Sequence, residues 1–230
     1  PESGEVALDR PVTLIHATQD AERLIVKMAR VSNPTNDENW KTGPKLLHFL
    51  MREKHWSPFQ MANMCVRIET ELDVATQMIR HSGLAFQQFS CRYAKTKKAD
   101  LPRFRRQDTK NRQNAFDDLT DLEQGEAQAM AQEVIDLAYE KYEAMLEAGI
   151  AKETARRILP VCTPSVLYAN GSVRNWIHYL QVRTKDDTQL EHRLIALEIQ
   201  KIFCAVFPIT AEALGSVSYT HLTLPTKLAV

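Results

Sequence analysis

The sequence predicts a single domain of the α+β class in which helix exceeds strand. Apolar residues recur with helical spacing in several segments, whereas two short segments have the pattern of strands. The sequence also shows no internal repeat and no low-complexity tract, which favours one domain over a repeat array. With 230 residues, the chain is long enough to bury a large core. We assign this domain to residues 1–215.

The first third of the chain carries both predicted strands. The run PVTLIHA, residues 11–17, indicates a short strand, and MCVRIET, residues 64–70, alternates as a half-buried strand does. Between them, helical spacing predicts a helix over 21–31 and a second one over 43–54. The second helix has one apolar side, formed by Leu46, Leu47, Leu50 and Met51.

Two apparent capping boxes mark the starts of further helices. Thr70 with Asp73 predicts a helix that runs into the Arg-His pair at residues 80–81. Thr188 with Glu191 predicts another helix near the end of the chain. The apolar face of this last helix is expected to comprise Leu190, Leu194, Leu197 and Ile202.

A long helix is expected over residues 126–148, ending at Gly149 because glycine commonly terminates helices. The last fifteen residues, 216–230, differ from the rest of the chain, since they lack acidic residues and alternate as a strand would. We interpret this tail as foreign to the native gene, with a real terminal strand as the alternative. It is left out of the functional argument.

The composition is that of a globular protein and argues against several classes. Hydrophobic residues make up 44% of the chain, and 29 basic residues balance 29 acidic ones. This neutrality offers no case for a nucleic-acid or membrane partner. No apolar run approaches the roughly 18 residues needed to cross a bilayer, and no signal-peptide pattern is visible. We therefore expect a cytoplasmic protein.

Charge is nevertheless uneven along the chain. Residues 80–112 hold ten Lys or Arg against two Asp, whereas residues 113–155 hold eleven carboxylates against two lysines. Most of these charges are interpreted as solvated faces that attract each other. The basic block begins within IRHSGLAFQQFSCRYAK, residues 79–95, where hydrogen-bond donors are mixed with large apolar side chains. This mixture predicts an anionic ligand there.

Nucleophilic and metal chemistry find little support. The four cysteines lie far apart without a CxxC pair, which favours reduced thiols over a zinc site. Cys91 lies beside Arg92, which would lower its pKa, but the sequence places no histidine next to it. The candidate metal ligands lack HExxH spacing, so no metal is expected. These candidates are His48, His55, His178, Glu191 and His192.

Phosphate recognition is better supported. Five arginines lie in segments that also hold apolar and amide residues, and a guanidinium binds phosphate through two parallel hydrogen bonds at any working pH. The absence of a GxGxxG or Walker loop argues against Rossmann or P-loop binding. The five are Arg80, Arg92, Arg156, Arg174 and Arg183.

Five segments in order resemble flavin-dependent thymidylate synthases. In the central one, Arg80 and His81 are followed by Ser90 at the spacing of the family signature, an Arg-His-Arg triplet, seven residues and a serine. The other segments are MARVSNP, KHWSPFQ, ARRILP and GSVRNWIHYLQVRTKDDTQLE, and the match spans about residues 12–212. The resemblance implies a central mixed or antiparallel sheet with surrounding helices, in a homotetramer whose active sites are shared between subunits.

The resemblance also implies a reaction, the methylation of dUMP to dTMP. Methylenetetrahydrofolate supplies the carbon, and FAD reduced by NADPH supplies the reducing equivalents. Arg183 corresponds to the family's catalytic arginine, which polarises the uracil ring and favours loss of its N3 proton. The implied dUMP ligands are Gln77, Arg80, Gln88, Ser90, Arg92, Arg156 and Arg183. The implied FAD ligands are His55, Ser57, Arg80, His81, Ser82, Gln88, Ser172, Arg174 and His178.

Ser82 departs from the family pattern, which has a second arginine at this position. A lost charge-assisted contact would cost about 1.5–3 kcal/mol, so weaker FAD binding is expected unless Lys95 or Arg103 compensates. The alternative is therefore a catalytically impaired homologue that binds the nucleotide or the flavin without turnover. A further alternative is an RNA-binding module that uses the basic block at 80–112, which the neutral overall charge disfavours.

Overall fold

The computed structural model describes residues 12–215, so the tail 216–230 lies outside the described residues. In chain order, the strands are β1 (Val12–Ala17), β2 (Asn63–Glu71), β3 (Ala85–Gln88), β4 (Arg106–Gln107), β5 (Ala115–Phe116) and β6 (Pro164–Ser172). The helices are α1 (Ala21–Ala29), α2 (Gly43–Arg52), α3 (Leu72–Ile79), α4 (Asp121–Glu147), α5 (Lys152–Ala155), α6 (Val173–Arg183), α7 (Leu190–Val206) and α8 (Pro208–Ala213). Four strands form one antiparallel sheet in the order β1–β2–β6–β3, and β4 pairs with β5 in a separate hairpin.

The two long strands β2 and β6 form the centre of the sheet. They pair along their whole length, from Asn63 opposite Ser172 to Glu71 opposite Pro164. Successive side chains of a strand point to opposite faces, so alternate residues of β2 enter the core. The other face stays partly open, since Tyr168 of β6 is 42% exposed. The residues of β2 in the core are Met64, Val66 and Ile68.

Helices α6 and α7 contribute most of the large side chains that pack on the buried face. Trp176 of α6 is fully buried, and its indole N–H donates to the carbonyl of Met64 at 2.8 Å. A neutral indole in a core needs such a partner, because an unpaired N–H there is costly. This contact ties α6 to the central strand. A second, smaller core comprises Ala99, Ile135, Tyr139, Tyr142 and Ala155.

The first four predicted elements are present. The bounds of β1, α1, α2 and β2 differ from the predicted ones by at most two residues at either end. Alternation and helical spacing were sufficient signals here because each element has one buried and one exposed side. The predicted α+β class with an antiparallel sheet is confirmed.

Both predicted capping boxes were wrong. Thr70 lies inside β2 with its hydroxyl buried, Asp73 follows it in α3, and α3 starts without a side-chain cap. Thr188 donates its hydroxyl to a carbonyl of α6 at 3.3 Å, and α7 also starts without a side-chain cap. The carboxylate of Glu191 is bound by Arg105 instead. Thr70 thus belongs to the strand before the helix, and the side chain of Glu191 is engaged by a tertiary contact.

Helices α4 and α7 also differ from the prediction. α4 starts at Asp121 rather than at residue 126, because Thr120 and Glu123 form a real capping box in which each side chain accepts the other residue's N–H. The predicted apolar face of α7 is only half-buried. The buried residues of α7 are His192, Ile195, Ala196, Ile199 and Phe203.

None of the helices within residues 12–215 combines the length and apolarity that a membrane span requires.

Candidate functional site

The segment 79–95 runs along one edge of the sheet and connects two groups of predicted site residues. Its strand β3 pairs with β6 from Ala85 opposite Asn170 to Gln88 opposite Leu167. A strand rises about 3.3 Å per residue, so the two ends of β3 lie about 10 Å apart. The residues before β3 therefore reach α6, and those after it reach the opposite end of the sheet.

The first group surrounds α6, and we call it the α6 cluster: His81, His178, Tyr179, Arg183 and His192. The His81 ring lies 5.1 Å from that of His178 and 5.2 Å from that of Tyr179, centroid to centroid. The Tyr179 hydroxyl lies 3.1 Å from Nε2 of His192. Both His81 and His192 are buried, so the cluster forms the inner wall of this part of the site.

Three polar atoms of the α6 cluster are buried without a hydrogen-bond partner among the described residues. They are Nε2 of His81, Nε of Arg183 and Nδ1 of His192. Buried polar groups in folded proteins are nearly always paired, so such atoms are typical of a ligand site. The cluster therefore fits a polar cofactor or substrate group in contact with His81 and Arg183.

Burial and the neighbouring guanidinium keep both buried histidines neutral. Burial lowers the pKa of His81 to about 4, with smaller contributions from His178 and Arg183. Burial, followed by the charges of Arg183 and His81, lowers the pKa of His192 to about 4. Burial also raises the pKa of Tyr179, although Arg183 acts in the opposite direction. Near neutral pH, His81, His192 and Tyr179 are thus uncharged, and the positive charge beside them is that of Arg183.

The low pKa of His192 predicts how stability depends on pH. In the unfolded chain this histidine takes up its proton below about pH 6.5, whereas in the folded protein it does so only near pH 4. Its contribution to stability is therefore complete above 6.5 and is lost as the pH falls towards 4. We expect urea titrations at several pH values to show that the free energy of unfolding falls less between pH 6.5 and pH 4 for His192→Gln than for the wild type. A difference between the two proteins that does not change with pH would contradict this.

The segment before β3 approaches α6 closely at Gly83. The side-chain amide of Asn175 donates to the Gly83 carbonyl, and a Cβ on Gly83 would lie 3.1 Å from the Asn175 side chain. The backbone φ of Gly83 is +96°, which a residue with a side chain rarely adopts. Ser82, next to this glycine, is exposed. The turn therefore places Ser82 beside the first turns of α6.

Other predicted FAD ligands lie near the start of α6. Ser57 is exposed in a short 3₁₀ turn that packs against α6. Arg174 is exposed and makes no ion pair within residues 12–215. Ser172 is buried, and its hydroxyl caps α6 by accepting the N–H of Asn175 at 3.3 Å. His55 is exposed, and its ring contacts Phe49 at 6.0 Å.

The second group lines a pocket of about 480 Å³ at the other end of β3, which we call the Arg156 pocket. Arg156 makes no ion pair with any residue in the described range, so its guanidinium is available to a ligand. The amide of Gln88 donates to the Ser165 hydroxyl at 3.2 Å. The pocket is lined by Leu72, Thr76, Gln88, Phe89, Ser90, Cys91, Arg156, Arg157 and Leu159.

Three further predicted ligands lie outside these groups. Arg92 lines an adjoining pocket with Ser90 and forms an exposed ion pair with Glu153 at 3.1 Å. Arg80 is exposed at the end of α3. Gln77 lies on α3, where its Nε2 donates to Oε1 of Gln189 at 2.5 Å. The Arg156 pocket and the α6 cluster share no lining residue.

Cys91 does not have the environment of a nucleophile. It is buried, and burial raises its pKa more than the nearby charge of Arg156 lowers it. The thiol is therefore protonated near neutral pH, whereas the thiolate is the reactive form. Within residues 12–215, no three His, Cys, Asp or Glu side chains converge as metal ligands would.

Several residues of the site were not predicted as ligands. Thr76 and Arg157 line the Arg156 pocket, and Asn175 fixes the Gly83 turn. Gln189 and Glu191 stand in the Gln-x-Glu pattern at the end of the last matching segment, to which no role was assigned. The pattern marks Gln189 and Glu191 as residues of interest, but nothing in the sequence shows that Gln189 contacts Gln77 on α3.

Known proteins match most of the chain. The family model described as "Thymidylate synthase complementing protein" matches residues 13–209. A "Probable flavin-dependent thymidylate synthase" from Paramecium bursaria Chlorella virus 1 is 41% identical over 210 residues, 91% of this chain and 96% of the relative. A "Flavin-dependent thymidylate synthase" from Synechocystis sp. is 45% identical over 213 residues, 91% of this chain and 97% of the relative.

A solved structure agrees with these relatives. The UMP/dUMP methylase PolB from Streptomyces cacaoi, bound with 5-Br dUMP, matches with a TM-score of 0.80 and 27% identity, over 91% of this chain and 96% of that chain. The range of the family model, residues 13–209, includes the α6 cluster and the Arg156 pocket. The family predicted from the five sequence segments is thereby confirmed. The chain belongs to the flavin-dependent thymidylate synthase family.

Proposed function

We propose that the protein methylates dUMP to dTMP, with the carbon from methylenetetrahydrofolate and reducing equivalents from NADPH through FAD. The observation that carries this proposal is family membership over most of the chain. The pocket with an unpaired Arg156 and the buried, unpartnered donors of the α6 cluster add support. The names of the relatives favour an active enzyme over the impaired homologue.

The Arg156 pocket is proposed to bind the phosphate of dUMP. None of the residues that line this pocket is a carboxylate that could compete for Arg156, and Ser90 and Gln88 supply neutral polar groups there. Arg92 exchanges Glu153 for the phosphate, which is feasible because exposed ion pairs are weak. A guanidinium binds phosphate with directed, charge-assisted hydrogen bonds, so these two arginines fix the position of the nucleotide.

Arg183 is proposed as the catalytic residue, in contact with the uracil ring. Its neighbours His81 and His192 are neutral near physiological pH, so its charge is free to act on the substrate. As the ring loses its N3 proton, negative charge develops on it. A fixed cation in a site without bulk water stabilises that charge without reorganisation.

The α6 cluster and the start of α6 are proposed to hold FAD. The unpartnered Nε2 of His81 fits a polar group of the cofactor, and Arg174, which forms no ion pair within residues 12–215, offers a cation. Ser57 and His178 complete the set of donors, whereas Ser172 serves mainly as the cap of α6. When bound, FAD supplies the redox step that no protein side chain can perform.

Ser82 is expected to limit FAD affinity. Lys95 pairs with Glu143, and Arg103 pairs with Asp117 at 2.9 Å, so either cation would have to exchange its carboxylate partner for the cofactor. Without such an exchange, Ser82→Arg should bind FAD about 10- to 100-fold more tightly, which corresponds to one charge-assisted hydrogen bond. Fluorescence quenching of FAD measures this affinity. Equal FAD affinities for the two proteins would show that the missing cation is not needed.

A homotetramer with shared active sites is proposed for the assembly. Met130, Val134 and Leu137 lie at helical spacing on α4 and are 65%, 63% and 56% exposed. Such an apolar stripe is typical of a helix that packs against another chain. Light scattering on the purified protein should give four times the chain mass, and a monomer would contradict the proposal.

None of the four cysteines forms a disulfide, which supports a cytoplasmic location.

The function is tested by supplying dUMP, methylenetetrahydrofolate and NADPH to the purified protein loaded with FAD. We expect dTMP to form, and we expect NADPH in the absence of air to bleach the flavin absorption. Binding of FAD and dUMP without dTMP would favour the impaired homologue. Failure to bind dUMP, together with salt-sensitive binding of RNA, would favour the RNA-binding alternative.

A further inference from the structure

A chain of hydrogen bonds links Gln77 to an ion pair that the proposed mechanism does not use. Gln77 Nε2 donates to Gln189 Oε1 at 2.5 Å, and Gln189 Nε2 donates to Glu191 Oε2 at 2.9 Å. One nitrogen of Arg105 then binds both oxygens of Glu191, each at 2.8 Å. We call these four residues the Gln77 relay.

The ion pair at the end of the Gln77 relay is well shielded. The side chains of Arg105 and Glu191 are 16% and 32% exposed, the lowest pair of values among the ion pairs of residues 12–215. The negative charge of Glu191 also reaches Asp73, whose pKa is raised by burial and then by this carboxylate. A shielded pair holds its geometry better than a solvated one, because water competes less for its hydrogen bonds.

The charge of Glu191 fixes the direction of every bond in the relay. An ionised carboxylate only accepts hydrogen bonds, so Gln189 must present its NH2 group to Glu191 and its oxygen to Gln77. Gln77 must then present its own NH2 group to Gln189, which leaves its Oε1 for a ligand. The oxygen and the nitrogen of an amide group have similar shapes, but here the charge of Glu191 determines that the oxygen of Gln189 faces Gln77.

We propose that Glu191 and Arg105 are positioning residues that act through Gln189 to present the amide oxygen of Gln77 to the pyrimidine. This rests on the proposed function and on the resemblance to the family, which implies that Gln77 is a dUMP ligand. N3–H is the only hydrogen-bond donor on the uracil ring of dUMP, since N1 carries the sugar. An acceptor oxygen at Gln77 therefore selects the neutral uracil ring when the nucleotide binds.

The relay and Arg183 act at different stages of the reaction. Gln77 binds the ring while N3 still carries its proton, whereas Arg183 stabilises the charge that develops when this proton leaves. The contact of Gln77 with N3–H exists in the ground state and is lost when the proton leaves, so it contributes to binding and not to kcat. Breaking the relay should consequently weaken dUMP binding without lowering kcat.

Two variants of the FAD-loaded enzyme test this. Glu191→Gln removes the charge that orders the relay, and Gln189→Leu cuts the relay but keeps the pair of Arg105 with Glu191. Each should weaken dUMP binding about three- to tenfold, the effect of one hydrogen bond, and leave kcat equal to or above that of the wild type. Glu198→Gln is the matched control, because Glu198 lies on the same helix and, among residues 12–215, forms an ion pair only with exposed Lys201, at 2.7 Å. Calorimetry with dUMP and assays of dTMP formation give the two quantities.

A double-mutant cycle separates the proposed role from a purely structural one. In a Gln77→Ala background, Glu191→Gln should have no further effect on dUMP binding, because the group through which it acts is gone. Effects that add in full, or an unchanged affinity in both single variants, would overturn the inference while leaving the proposed function intact. If Glu191→Gln does not fold, the same cycle is run with Gln189→Leu. A wild-type enzyme that does not bind dUMP would overturn the proposed function itself.

Discussion

Arg183→Ala is expected to lower kcat for dTMP formation by about 100- to 1,000-fold, the usual effect of removing one electrostatic stabiliser of a transition state. The loss is large because the neighbouring His81 and His192 are neutral and cannot replace the charge. Binding of dUMP should change much less, since the negative charge on the ring develops only during the reaction. Single-turnover formation of dTMP measures the effect directly.

Two further measurements support the interpretation of this variant. Arg183→Lys keeps a cation and should recover part of the lost rate. The charge of Arg183 also lowers the pKa of His81 and of His192, so both pKa values should rise in Arg183→Ala. Nuclear magnetic resonance titration of the histidines detects this. A kcat of Arg183→Ala within threefold of the wild type would show that the charge acts elsewhere.

Arg156→Ala is expected to weaken dUMP binding by about 10- to 100-fold, the effect of losing one charge-assisted hydrogen bond to phosphate. Arg156 has no ion-pair partner within the described residues, so its removal leaves no carboxylate unpaired and the effect falls on the ligand. Calorimetric titration with dUMP measures the dissociation constant.

The phosphate-free nucleoside provides the control for Arg156. Deoxyuridine should bind equally to the wild type and to Arg156→Ala, because it lacks the group that Arg156 contacts. Lys141→Ala removes an exposed cation that pairs with Glu140 on α4, and it should leave dUMP binding unchanged. If Arg156→Ala weakened both ligands alike, Arg156 would shape the pocket rather than bind the phosphate.

Helices and strands could be predicted where their own residues show the alternation or the helical spacing of an element with one buried side. β2 alternates clearly because one of its faces is buried against helices. β6 was missed, although it is just as long, because Asn170 and Gly171 interrupt its apolar pattern. A Cβ at Gly171 would lie 2.3 Å from Cδ2 of Leu84, so a larger residue there would displace that side chain. This contact comes from a neighbouring segment and cannot be read from the sequence of β6 itself.

The site was predictable as a set of residues but not as an arrangement. The motifs identified Gln77, His81 and Arg183 because their spacing matches that of the family. They could not show that Gln77 bonds to Gln189, which lies 112 residues further along the chain. Nor could spacing show which histidines are neutral, because burial in the folded protein determines their pKa values.

The pairing of β3 with β6 fixes the distance that the segment between the α6 cluster and the Arg156 pocket must span. One end is held where Asn175 binds Gly83, and the other where the Phe89 N–H donates to a carbonyl of β6 at 2.8 Å. Deleting one residue would turn Gln88 to the opposite face, and deleting two would draw the ends together by about 7 Å. The number of residues here is therefore more constrained than the identity of an exposed one such as Gln87. Insertions and deletions in this segment should be tolerated less well than substitutions at its exposed positions.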